Sequence, residues 1–494
     1  MQENQSLKGK SMAYNWTSEV DVVVIGSGFA GLTAALEAGK AGVSVLVLEK
    51  RKSYGGNSIM SSGVLAASDS LNSLTIENKE IQNSPELMYQ DMLKAGRGLN
   101  DPALVKVVAE NSNQILQWTI NELGTVYKDR VDQLGGHSVA RCYTPHNASG
   151  SAIVKPLLTQ VKALGIDIET GIMLTTLVTD ASYNIQGVEV QQTIPLKERD
   201  KTKNNQTLRR IKARKAVILA TGGFSGDVPF RTLQDPQLTE DINDTNRPDS
   251  TAEALIEAMK IGAKVVDLSC IQLAPWGCPD EKSLGFGGLI ASCAAAPYGI
   301  LINPTTGKRF VNESADRKTR TDAILKIGQP CLGIVDSEGL KNADYIMRNS
   351  DYNIEQYIQR DVIKRWHTLD DLASHYHIPR ETLNETVKNF NHAVTIQHDA
   401  AFNKTILPNA QALRPPYYVV RIWPKVHYTM GGLKINTKAQ VVNQNDDPIL
   451  RLYAAGEVTG GIHGASRLSD CATTECLVFG QIAGRNAATE VSST

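Results

Sequence analysis

The sequence predicts an α/β fold, because an apolar strand, a helix rich in small residues and a second apolar strand follow one another near its amino end. The strands are 20–25 and 43–48, and the helix between them runs from Leu32 to Lys40. Strands that are apolar along almost their whole length are typical of a parallel sheet buried on both faces. Together these elements form a βαβ unit, so the sequence predicts a Rossmann-like domain at the start of the chain.

A glycine-rich turn joins the first strand to the helix. Gly26, Gly28 and Gly31 stand in a Gly-x-Gly-x-x-Gly pattern, and Glu49 follows the second strand, 23 positions after Gly26. We expect Gly26 to permit the tight turn, Gly28 to let the backbone approach a pyrophosphate, and Gly31 to let the helix pack on the strand. The phosphates would lie at the helix N-terminus, where N–H groups and the helix dipole favour anions. With Glu49 placed to accept hydrogen bonds from ribose hydroxyls, the pattern predicts a dinucleotide site.

The composition excludes several functional classes. The chain has 494 residues, with 51 Lys and Arg against 52 Asp and Glu, and a formal net charge of -1. A nucleic-acid-binding protein needs a surplus of basic residues to neutralise phosphates, so we expect no nucleic-acid partner. The sequence has no run of about 18 apolar residues, so no membrane span is predicted. At about 100–200 residues per domain, the length predicts two to four domains.

The cysteines and the amino end bear on the location of the protein. The seven cysteines form no Cys-x-x-Cys pair and no zinc or haem spacing, so we expect reduced thiols and no metal site. Residues 1–18 lack the apolar stretch of about 7–15 residues that a secretory signal needs. We interpret them as a flexible leader in which Met12 is an alternative start, and we expect a cytoplasmic location.

Four segments carry a resemblance to a known family. Residues 49–58 read EKRKSYGGNS and form a second Gly-rich turn, while 215–224, 451–458 and 477–484 read KAVILATGGF, RLYAAGEV and LVFGQIAG. These segments resemble the FAD-binding segments of the fumarate reductase and succinate dehydrogenase flavoprotein superfamily. The resemblance covers the chain from about Val20 to Ala488. It implies a Rossmann-like FAD-binding domain of the glutathione-reductase type, with an inserted α+β capping domain.

The resemblance also implies which residues bind FAD. No histidine stands in a covalent-flavin context, so the FAD is expected to be non-covalent. Two departures from the family, at 252–254 and 469–471, lie near the expected flavin, and Asp470 or Cys471 is hypothesised to shift its potential. The residues assigned to FAD are Gly26, Gly28, Phe29, Ala30, Gly31, Glu49, Lys50, Gly55, Gly56, Asn57, Ser58, Thr221, Gly222, Gly223, Gly456, Glu457, Arg467 and Ala472.

The division of the chain into domains follows from the same resemblance. We expect a leader at 1–18, the first part of the FAD-binding domain at 19–270, the capping domain at 271–413 and the C-terminal part of the FAD-binding domain at 414–494. In soluble fumarate reductases the capping domain is mobile, and its closure over the flavin excludes water from hydride transfer.

Local patterns predict secondary structure between the FAD-binding segments. Residues 60–180 are expected to be mainly helical, with helices that start at Pro85 and Pro102. Residues 172–219 alternate in the manner of strands around 197–205. The interleaved charges of 197–205 favour a solvated hairpin loop over a nucleic-acid or membrane site.

One motif of the resemblance carries the expected proton donor. Fumarate reductases and their relatives transfer hydride from flavin N5 to an unsaturated carboxylate, and an arginine supplies the proton. The corresponding motif is GKRFVNESADR at 307–317, which places the donor at Arg317. An arginine has a pKa above about 12, so it can act as an acid only if it is desolvated and lies near other cations. The 3-ketosteroid dehydrogenases have a tyrosine at this position, so Arg317 favours an enoate over a steroid.

Two further motif positions imply the binding of a carboxylate. His427, in VHYTMGG, and Arg467, in GIHGASRL, match the carboxylate-binding histidine and arginine of the family. An arginine binds a carboxylate through two parallel hydrogen bonds, and a nearby histidine adds a donor.

The segments that hold a second carboxylate in fumarate reductases differ in this chain. Ala274 replaces the histidine in QLAPW, and 291–295 reads ASCAA where the family has a Thr-Glu pair and an arginine. We therefore expect the enzyme to bind one carboxylate rather than two. The proton relay to Arg317 must also use other groups, with Asp316 or Glu313 as candidates.

The same departures make this region more apolar than in fumarate reductases. Leu273, Ala274, Trp276 and 294–296 are expected to line an uncharged or aromatic substrate tail. Plain core packing is the alternative interpretation and carries equal weight.

Together these motifs predict an FAD-dependent oxidoreductase acting on CH–CH groups. The expected reaction is reduction of the C=C bond of an α,β-unsaturated monocarboxylate of the acrylate, cinnamate or urocanate kind. One alternative is a ketosteroid-type dehydrogenase acting next to a ketone, and another is a flavin electron-transfer subunit without its own substrate chemistry. The sequence has no haem motif, second flavin domain or evident NAD site, so we expect an external electron donor and a monomer.

Overall fold

The structure is a computed structural model that describes residues 15–68, 73–76, 79–192, 208–282, 285–343 and 353–492. Most of the predicted leader, and the predicted hairpin loop at 197–205, lie outside the described residues. The chain forms two compact units. The first consists of Met1–Asp227, Asp249–Cys270 and Thr429–Thr494, and the second of Val228–Pro248 and Ile271–Tyr428.

The unit boundaries differ in two places from those expected from the sequence. The chain passes from the first unit to the second between 270 and 271, as expected. The second unit also includes Val228–Pro248, and the chain returns to the first unit at Thr429 rather than at 414. Strand pairing explains the later return, because Tyr417–Ile422 is hydrogen-bonded to strands on both of its sides. The residues after 414 thus complete the sheet of the second unit.

A largely parallel sheet forms the centre of the first unit. Val22 of the first strand pairs in parallel with Val45 on one side and with Ala216 on the other. Val22, Val23 and Val24 are fully buried, as the apolar pattern predicts. The predicted βαβ unit and the α/β class are therefore confirmed. The strand order is Gln440–Val442, Pro448–Ala454, Arg209–Leu219, Ser18–Ile25, Val45–Glu49 and Asp167–Thr170.

The other elements of the first unit surround this sheet. Its helices are Phe29–Lys40, Pro85–Ala95, Pro102–Asn121, Ser151–Ala163, Glu253–Lys260 and Cys471–Thr489, with a 3₁₀ turn at Ser58–Met60. Its remaining strands are Leu65–Ala66, Ser73–Ile76, Lys79–Gln82, Tyr127–Asp132, Cys142–Pro145, Ile172–Thr179, Ile185–Gln192, Val265–Val266, Gly432–Lys434 and Thr459–Gly460.

The helices predicted to start at Pro85 and Pro102 are confirmed, and Ser84 and Asp101 cap their first turns. The region 60–180 is less helical than predicted, however. Tyr127–Asp132 and Cys142–Pro145 are strands, because their backbone groups pair with each other in an antiparallel ladder. The strands predicted within 172–219 are confirmed.

An antiparallel sheet of four strands forms the core of the second unit. Successive side chains alternate between its faces, so Ile300 and Ile302 enter one apolar cluster while Leu301 enters another. Helices contribute to both clusters, and this arrangement fits the expected α+β class. The strand order is Ile300–Ile302, Cys331–Asp336, Tyr417–Ile422 and Ile363–Trp366.

Shorter elements complete the second unit. Its helices are Val228–Gln234, Gly285–Ile290, Ala296–Tyr298, Arg317–Ile327, Ser337–Asn342, Ile354–Gln359, Leu369–Tyr376 and Arg380–Thr395, with a π-helical turn at Ala291–Ala295. The strand Ile271–Ala274 pairs with Lys425–Thr429. In the described part of the chain, no helix combines the length and the apolarity needed to cross a membrane.

Two glycines let the last helix of the chain pack against the first. A Cβ atom at Gly480 would lie 2.8 Å from the carbonyl oxygen of Ala30, and one at Gly484 would lie 2.3 Å from that of Ala34. Both distances are too short for non-bonded atoms, and backbone oxygens inside a helix cannot move away easily. The sheet-covering helix Phe29–Lys40 is therefore held in place by a contact that only glycine permits.

Replacement of Gly484 by alanine tests this contact. We expect Gly484→Ala to lower the free energy of unfolding by about 1–3 kcal/mol, the usual cost of overpacking a tight interior. Thermal unfolding of the purified protein measures the effect. Thr489→Ala, at an exposed position of the same helix, is the matched control and should change stability by less than about 0.5 kcal/mol. Equal melting temperatures for the two variants would contradict the prediction.

Candidate functional site

The first glycine turn has the geometry that a dinucleotide site requires. Gly26 has a φ of +107°, and a Cβ atom there would lie 2.2 Å from the carbonyl oxygen of Ala220. A Cβ atom at Gly31 would lie 2.0 Å from the carbonyl oxygen of Gly26. These two positions accept only glycine, which agrees with the tight turn and the close helix–strand packing expected from the sequence.

The helix that follows the turn begins with N–H groups suited to an anion. Gly28 is its N-cap residue and has no side chain to cap it, and the first turn contains no acidic residue. Apart from the chain neighbours of Gly28, only the Ser58 hydroxyl among the described residues lies within 4 Å of a Cβ atom built there, at 3.1 Å. The same hydroxyl accepts a hydrogen bond from Phe29 N at 3.0 Å. The space beside Gly28 and the N–H groups of the helix start fit a diphosphate.

Glu49 is buried at the end of the second strand and organises both glycine turns. Its Oε2 accepts hydrogen bonds from Ser27 N at 3.1 Å and from Ser27 Oγ at 2.5 Å, and its Oε1 accepts one from Arg51 N at 2.9 Å. Ser27 Oγ in turn accepts a hydrogen bond from Gly55 N at 3.0 Å. A carboxylate oxygen has two lone pairs, so Oε1 retains an acceptor site for a ribose hydroxyl. Ser27 was missed by the sequence reasoning, since it occupies an unspecified position of the glycine pattern.

The second glycine turn is anchored by a segment that the sequence did not single out for this role. Lys50 Nζ donates to Thr251 Oγ1 at 2.8 Å and lies 3.6 Å from a Glu253 oxygen. Asn57 Nδ2 donates to Ser250 Oγ at 2.8 Å. Lys50 and Asn57 were predicted to contact FAD. The structure gives both of them a second role, that of fixing the turn.

The predicted FAD residues Thr221, Gly222, Gly223 and Glu457 line one shallow concavity of the first unit. Glu457 Oε1 accepts hydrogen bonds from Thr429 N at 2.9 Å and Thr429 Oγ1 at 3.2 Å. A Cβ atom at Gly223 would lie 2.4 Å from the same Glu457 oxygen. The structure thus adds Thr429 to the predicted set, as the residue that orients Glu457.

Arg467 and Glu475 lie in the interior of the first unit. Arg467 is only 6% exposed, and its Nη1 donates to the carbonyl of Leu468 at 3.2 Å. Glu475 Oε1 accepts a hydrogen bond from Gly456 N at 3.1 Å, and burial raises the pKa of Glu475 to about 8. Burial, with the Arg467 charge as a second cause, holds the pKa of His463 well below its usual range. A protonated Glu475 therefore supports the backbone of Gly456, a predicted FAD residue.

Arg317 and His427, which the sequence places far apart, meet around Trp276 in the second unit. Arg317 Nη1 donates to Gln272 Oε1 at 2.8 Å, and its guanidinium carbon lies 4.9 Å from the centroid of the Trp276 ring. The His427 ring packs edge-on against Trp276 at 5.8 Å, and its Nδ1 is 2.8 Å from Thr245 Oγ1. The structure thus brings together the predicted proton donor, Arg317, and two of the predicted substrate residues, His427 and Trp276.

A second arginine, Arg320, joins this cluster and was missed by the sequence reasoning. Its guanidinium carbon lies 5.5 Å from the Trp276 ring, and the residue is 8% exposed. Burial lowers the pKa of Arg320 to about 10, against the opposing influence of Asp316 and Glu313. The available signal was the spacing of three residues from Arg317, which places both side chains on one face of a helix.

A buried network of charges fixes the loop that leads to Arg317. Arg309 donates to both oxygens of Glu313, at 2.9 and 2.7 Å, and to Asp399 at 2.8 Å. Glu313 also accepts a hydrogen bond from Leu301 N at 3.0 Å. Because it is ion-paired with Arg309 and its side chain has no exposed surface, Glu313 is a structural anchor rather than the proton relay considered above.

The other relay candidate, Asp316, caps the helix that begins with Arg317. Its Oδ1 accepts a hydrogen bond from Thr319 N at 3.0 Å, and its Oδ2 accepts one from Thr319 Oγ1 at 2.5 Å. It is exposed, so its carboxylate can exchange protons with solvent. Asp316 therefore keeps the candidate role that Glu313 loses.

Several apolar residues predicted to line a substrate tail lie instead in the core. Ala274 has no exposed surface, Ala294 and Ala295 belong to an apolar cluster of the second unit, and Ala296 is also buried. Leu273 packs against Leu238, Ile242 and Val426. For these residues the structure favours the core-packing alternative, because side chains that fill the interior offer no surface to a ligand. Trp276 is partly exposed and keeps its predicted place in the site.

Within the described ranges, no group of three His, Cys, Asp or Glu side chains lies close enough together to hold a metal ion. The donor set of the site consists of guanidinium, imidazole, amide and backbone N–H groups. These groups suit anionic ligands.

The hydrogen bonds of Glu49 lead to a prediction about FAD binding. Glutamine has one oxygen where glutamate has two, so its NH₂ group must face at least one of the N–H donors that Glu49 now accepts. We expect Glu49→Gln to weaken the affinity of the apoprotein for FAD by about tenfold, or about 1.4 kcal/mol. Flavin fluorescence titration measures the dissociation constant. Glu169→Gln, on the neighbouring strand and paired with Arg209 at 2.6 Å, is the control and should bind FAD normally. Equal affinities for the two variants would contradict the assigned role of Glu49.

The raised pKa of Glu475 leads to a prediction about pH. Its carboxyl group keeps its proton up to about pH 8 in the folded protein, whereas the unfolded chain loses it near pH 4.3. The unfolded state thus binds fewer protons between these values, so this group costs stability as the pH rises, by at most about 1.4 kcal/mol per pH unit. We expect Glu475→Gln to gain melting temperature relative to the unsubstituted protein from pH 5 to 8, with no further gain above. The exposed variant Glu110→Gln, at a position 55% exposed, is the control. A pH-independent difference for Glu475→Gln would show that the carboxyl is not protonated.

Comparison with known proteins identifies the family. The family described as FAD binding domain matches residues 21–472. The acrylate reductase flavoprotein subunit of Shewanella woodyi is 39% identical over 478 residues, which are 95% of this chain and 91% of the relative. The urocanate reductase of Eggerthella lenta is 34% identical over 479 residues, 96% of this chain and 75% of the relative.

Solved structures agree with the fold described above. The open conformation of a flavocytochrome c3 fumarate reductase aligns with a TM-score of 0.75 at 30% identity, over 96% of this chain and 79% of that one. A 3-ketosteroid-Δ4-(5α)-dehydrogenase from Rhodococcus jostii RHA1 aligns with a TM-score of 0.72 at 20% identity, over 97% of this chain and 99% of that one. The second likeness concerns the fold alone. With a family match that runs through most of its length, this chain belongs to the FAD-binding flavoprotein family that includes these reductases.

Proposed function

We propose that this protein is an FAD-dependent oxidoreductase that reduces the C=C bond of an α,β-unsaturated monocarboxylate. The observation that carries the proposal is the cluster in which Arg317 is hydrogen-bonded to Gln272 and packed on Trp276, with His427 against the same ring. The relatives named above act on acrylate, urocanate and fumarate, all of them unsaturated carboxylates. This agreement between geometry and relatives supports a reductase of unsaturated acids.

The chain's own residues define where the cofactor is held. The turn Gly26–Gly31, Glu49, the concavity at 221–223 and Glu457 form the proposed FAD site. Reduced FAD, when bound, supplies the hydride. We propose that the FAD is non-covalent, so that acid precipitation of the protein would release all of it into the supernatant.

Arg317 is proposed to supply the proton to the α-carbon of the substrate. It is the first residue of the helix Arg317–Ile327, where the positive end of the helix dipole disfavours a cation. Packing on Trp276 removes water from one side of the guanidinium, and Arg320 adds a second positive charge over the same ring. The helix dipole and the Arg320 charge both disfavour a positive charge at this position, as the role of a proton donor requires. Gln272 fixes the direction of the Nη1–H bond.

The substrate carboxylate is proposed to bind to His427 and Arg467. The Thr245 hydroxyl at Nδ1 fixes the orientation of the His427 ring. In the first unit, the buried Arg467 keeps a rigid guanidinium plane, which suits two parallel hydrogen bonds to a carboxylate. A monocarboxylate is proposed because Ala274 and the segment 291–295 lack the groups that hold a second carboxylate in fumarate reductases.

The electron donor is proposed to be a separate protein or small molecule. The relative from Shewanella woodyi is named a flavoprotein subunit, which supports a donor on another polypeptide. A monomeric state and a cytoplasmic location stay predictions. A ketosteroid-type activity is the second candidate enzymatic function. It is disfavoured because Arg317 stands where the 3-ketosteroid dehydrogenases have a tyrosine.

Anaerobic oxidation of reduced viologen tests the proposal. We expect the protein to reduce at least one of acrylate, cinnamate and urocanate, and not 4-androstene-3,17-dione. Arg317→Ala should lower kcat by about 10²- to 10⁴-fold, the usual contribution of a general acid, with FAD still bound. Lys318→Ala, the next residue on the helix and 42% exposed, is the matched control and should keep full activity. Near-full activity of Arg317→Ala, or reduction of the steroid alone, would refute the assignment.

A further inference from the structure

The indole of Trp276 is the common contact of the two groups that the proposed reaction needs. It lies 4.9 Å from the guanidinium carbon of Arg317 and 5.8 Å from the centroid of the His427 ring. A substrate that presents its carboxylate to His427 and its α-carbon to Arg317 must therefore run alongside this ring. The size and mobility of the indole then decide what else the substrate can carry.

The indole is held in place from several sides. Two guanidinium groups, of Arg317 and Arg320, lie over its ring, and the edge contact with His427 has an interplanar angle of 72°. Arg320 is almost completely buried, so it cannot swing into solvent and release the ring. These contacts occupy part of the ring surface on which an aromatic substrate tail would have to stack.

The backbone next to Trp276 is also fixed. Gly277 O accepts a hydrogen bond from Trp423 N at 2.8 Å, and a Cβ atom at Gly277 would lie 2.4 Å from the carbonyl oxygen of Trp423. On the other side, Pro275 and the fully buried Ala274 precede the ring. A side chain clamped by both its ring contacts and its backbone acts as a rigid wall rather than as an adaptable lining.

We propose that Trp276, positioned by Arg320, is a specificity wall that restricts the enzyme to 2-enoates with a small β-substituent, such as acrylate, and excludes aryl substituents such as those of cinnamate and urocanate. This inference rests on the proposed function and narrows its substrate class. It gives Arg320 the part of a positioning residue, which acts on the substrate through the indole. The opposite role for Trp276, as a stacking platform for an aromatic tail, becomes an outcome of the test.

Substitutions that shrink the indole provide the test. The measured quantity is the ratio of kcat/KM for acrylate to kcat/KM for cinnamate, in the reduced-viologen assay with FAD-loaded protein. A pocket contact of this kind discriminates by about 10- to 200-fold, so we expect a wild-type ratio in that range or above it. Trp276→Ala and Trp276→Leu should lower the ratio by a similar factor through a gain in cinnamate reduction. Trp276→Phe, which keeps a ring, should have the smaller effect.

A variant at Arg320 and a binding measurement provide a test that still applies if Trp276→Ala does not fold. Arg320→Met removes the cation but keeps a long side chain, and it should lower the same ratio, whereas Arg320→Lys should restore it in part. The saturated acids propionate and 3-phenylpropionate report binding without turnover. In a thermal-shift experiment, propionate but not 3-phenylpropionate should stabilise the unsubstituted protein. Both acids should stabilise Trp276→Ala. Trp366→Leu, in a different apolar cluster of the same unit, is the control and should leave the ratio unchanged.

The outcomes separate this inference from the proposed function. If the unsubstituted protein reduces cinnamate with a kcat/KM similar to that for acrylate, the wall is refuted while the reductase function stands. An unchanged ratio in Trp276→Ala, or loss of cinnamate reduction in that variant, refutes it in favour of the stacking platform. Loss of both activities in FAD-loaded Trp276→Leu also refutes it, because the indole would then be part of the reacting machinery. If no enoate is reduced by the unsubstituted protein, it is the proposed function that fails.

Discussion

The hydroxyl of Ser27 is the point on which the dinucleotide site of the first unit depends. It donates to Glu49 and accepts from the N–H of Gly55, so the first glycine turn, the end of the second strand and the second glycine turn share one buried polar centre. A buried polar group that loses its partner costs about 1–3 kcal/mol. None of the three segments can therefore move without leaving a buried donor or acceptor unsatisfied. The close packing at Gly26 and Gly31 adds a steric constraint to this polar one.

In the second unit, buried ion pairs hold the loop before the proposed proton donor in place. The loop before Arg317 is anchored in the interior, where Arg309 and Lys404 balance the charges of Glu313 and Asp399. Removing one member of such a network leaves an uncompensated buried charge, which costs about 3–5 kcal/mol. The network thus ties the start of the helix Arg317–Ile327 to distant parts of the second unit, such as Asp399. Arg317 and Arg320, by contrast, project from the start of that helix onto Trp276.

This contrast accounts for the different chemistry of neighbouring arginines. Arg309 is bound to two carboxylates, and these keep it charged. Arg317 and Arg320 lie over the Trp276 ring, and burial lowers the pKa of Arg320. The three arginines look alike in the sequence, but their surroundings make Arg309 a structural cation and leave Arg317 as the candidate acid. The single-carboxylate interpretation rests on residue types in the same unit, because Ala274 is a buried alanine where fumarate reductases have a carboxylate-binding histidine.

Local patterns were sufficient to predict the βαβ unit, the glycine turns and the helices that start at Pro85 and Pro102. These features depend on short-range physics: apolar periodicity, the φ angles open to glycine, and capping. The resemblance of motifs added Arg317, His427 and Arg467 as candidates. The roles of Ser27, Thr429 and Arg320, the strands within 127–145 and the later return at Thr429 were decided only by the tertiary structure. Their partners lie from 10 to 91 residues away in the chain. No local pattern records which distant side chain will fill a given space or accept a given hydrogen bond.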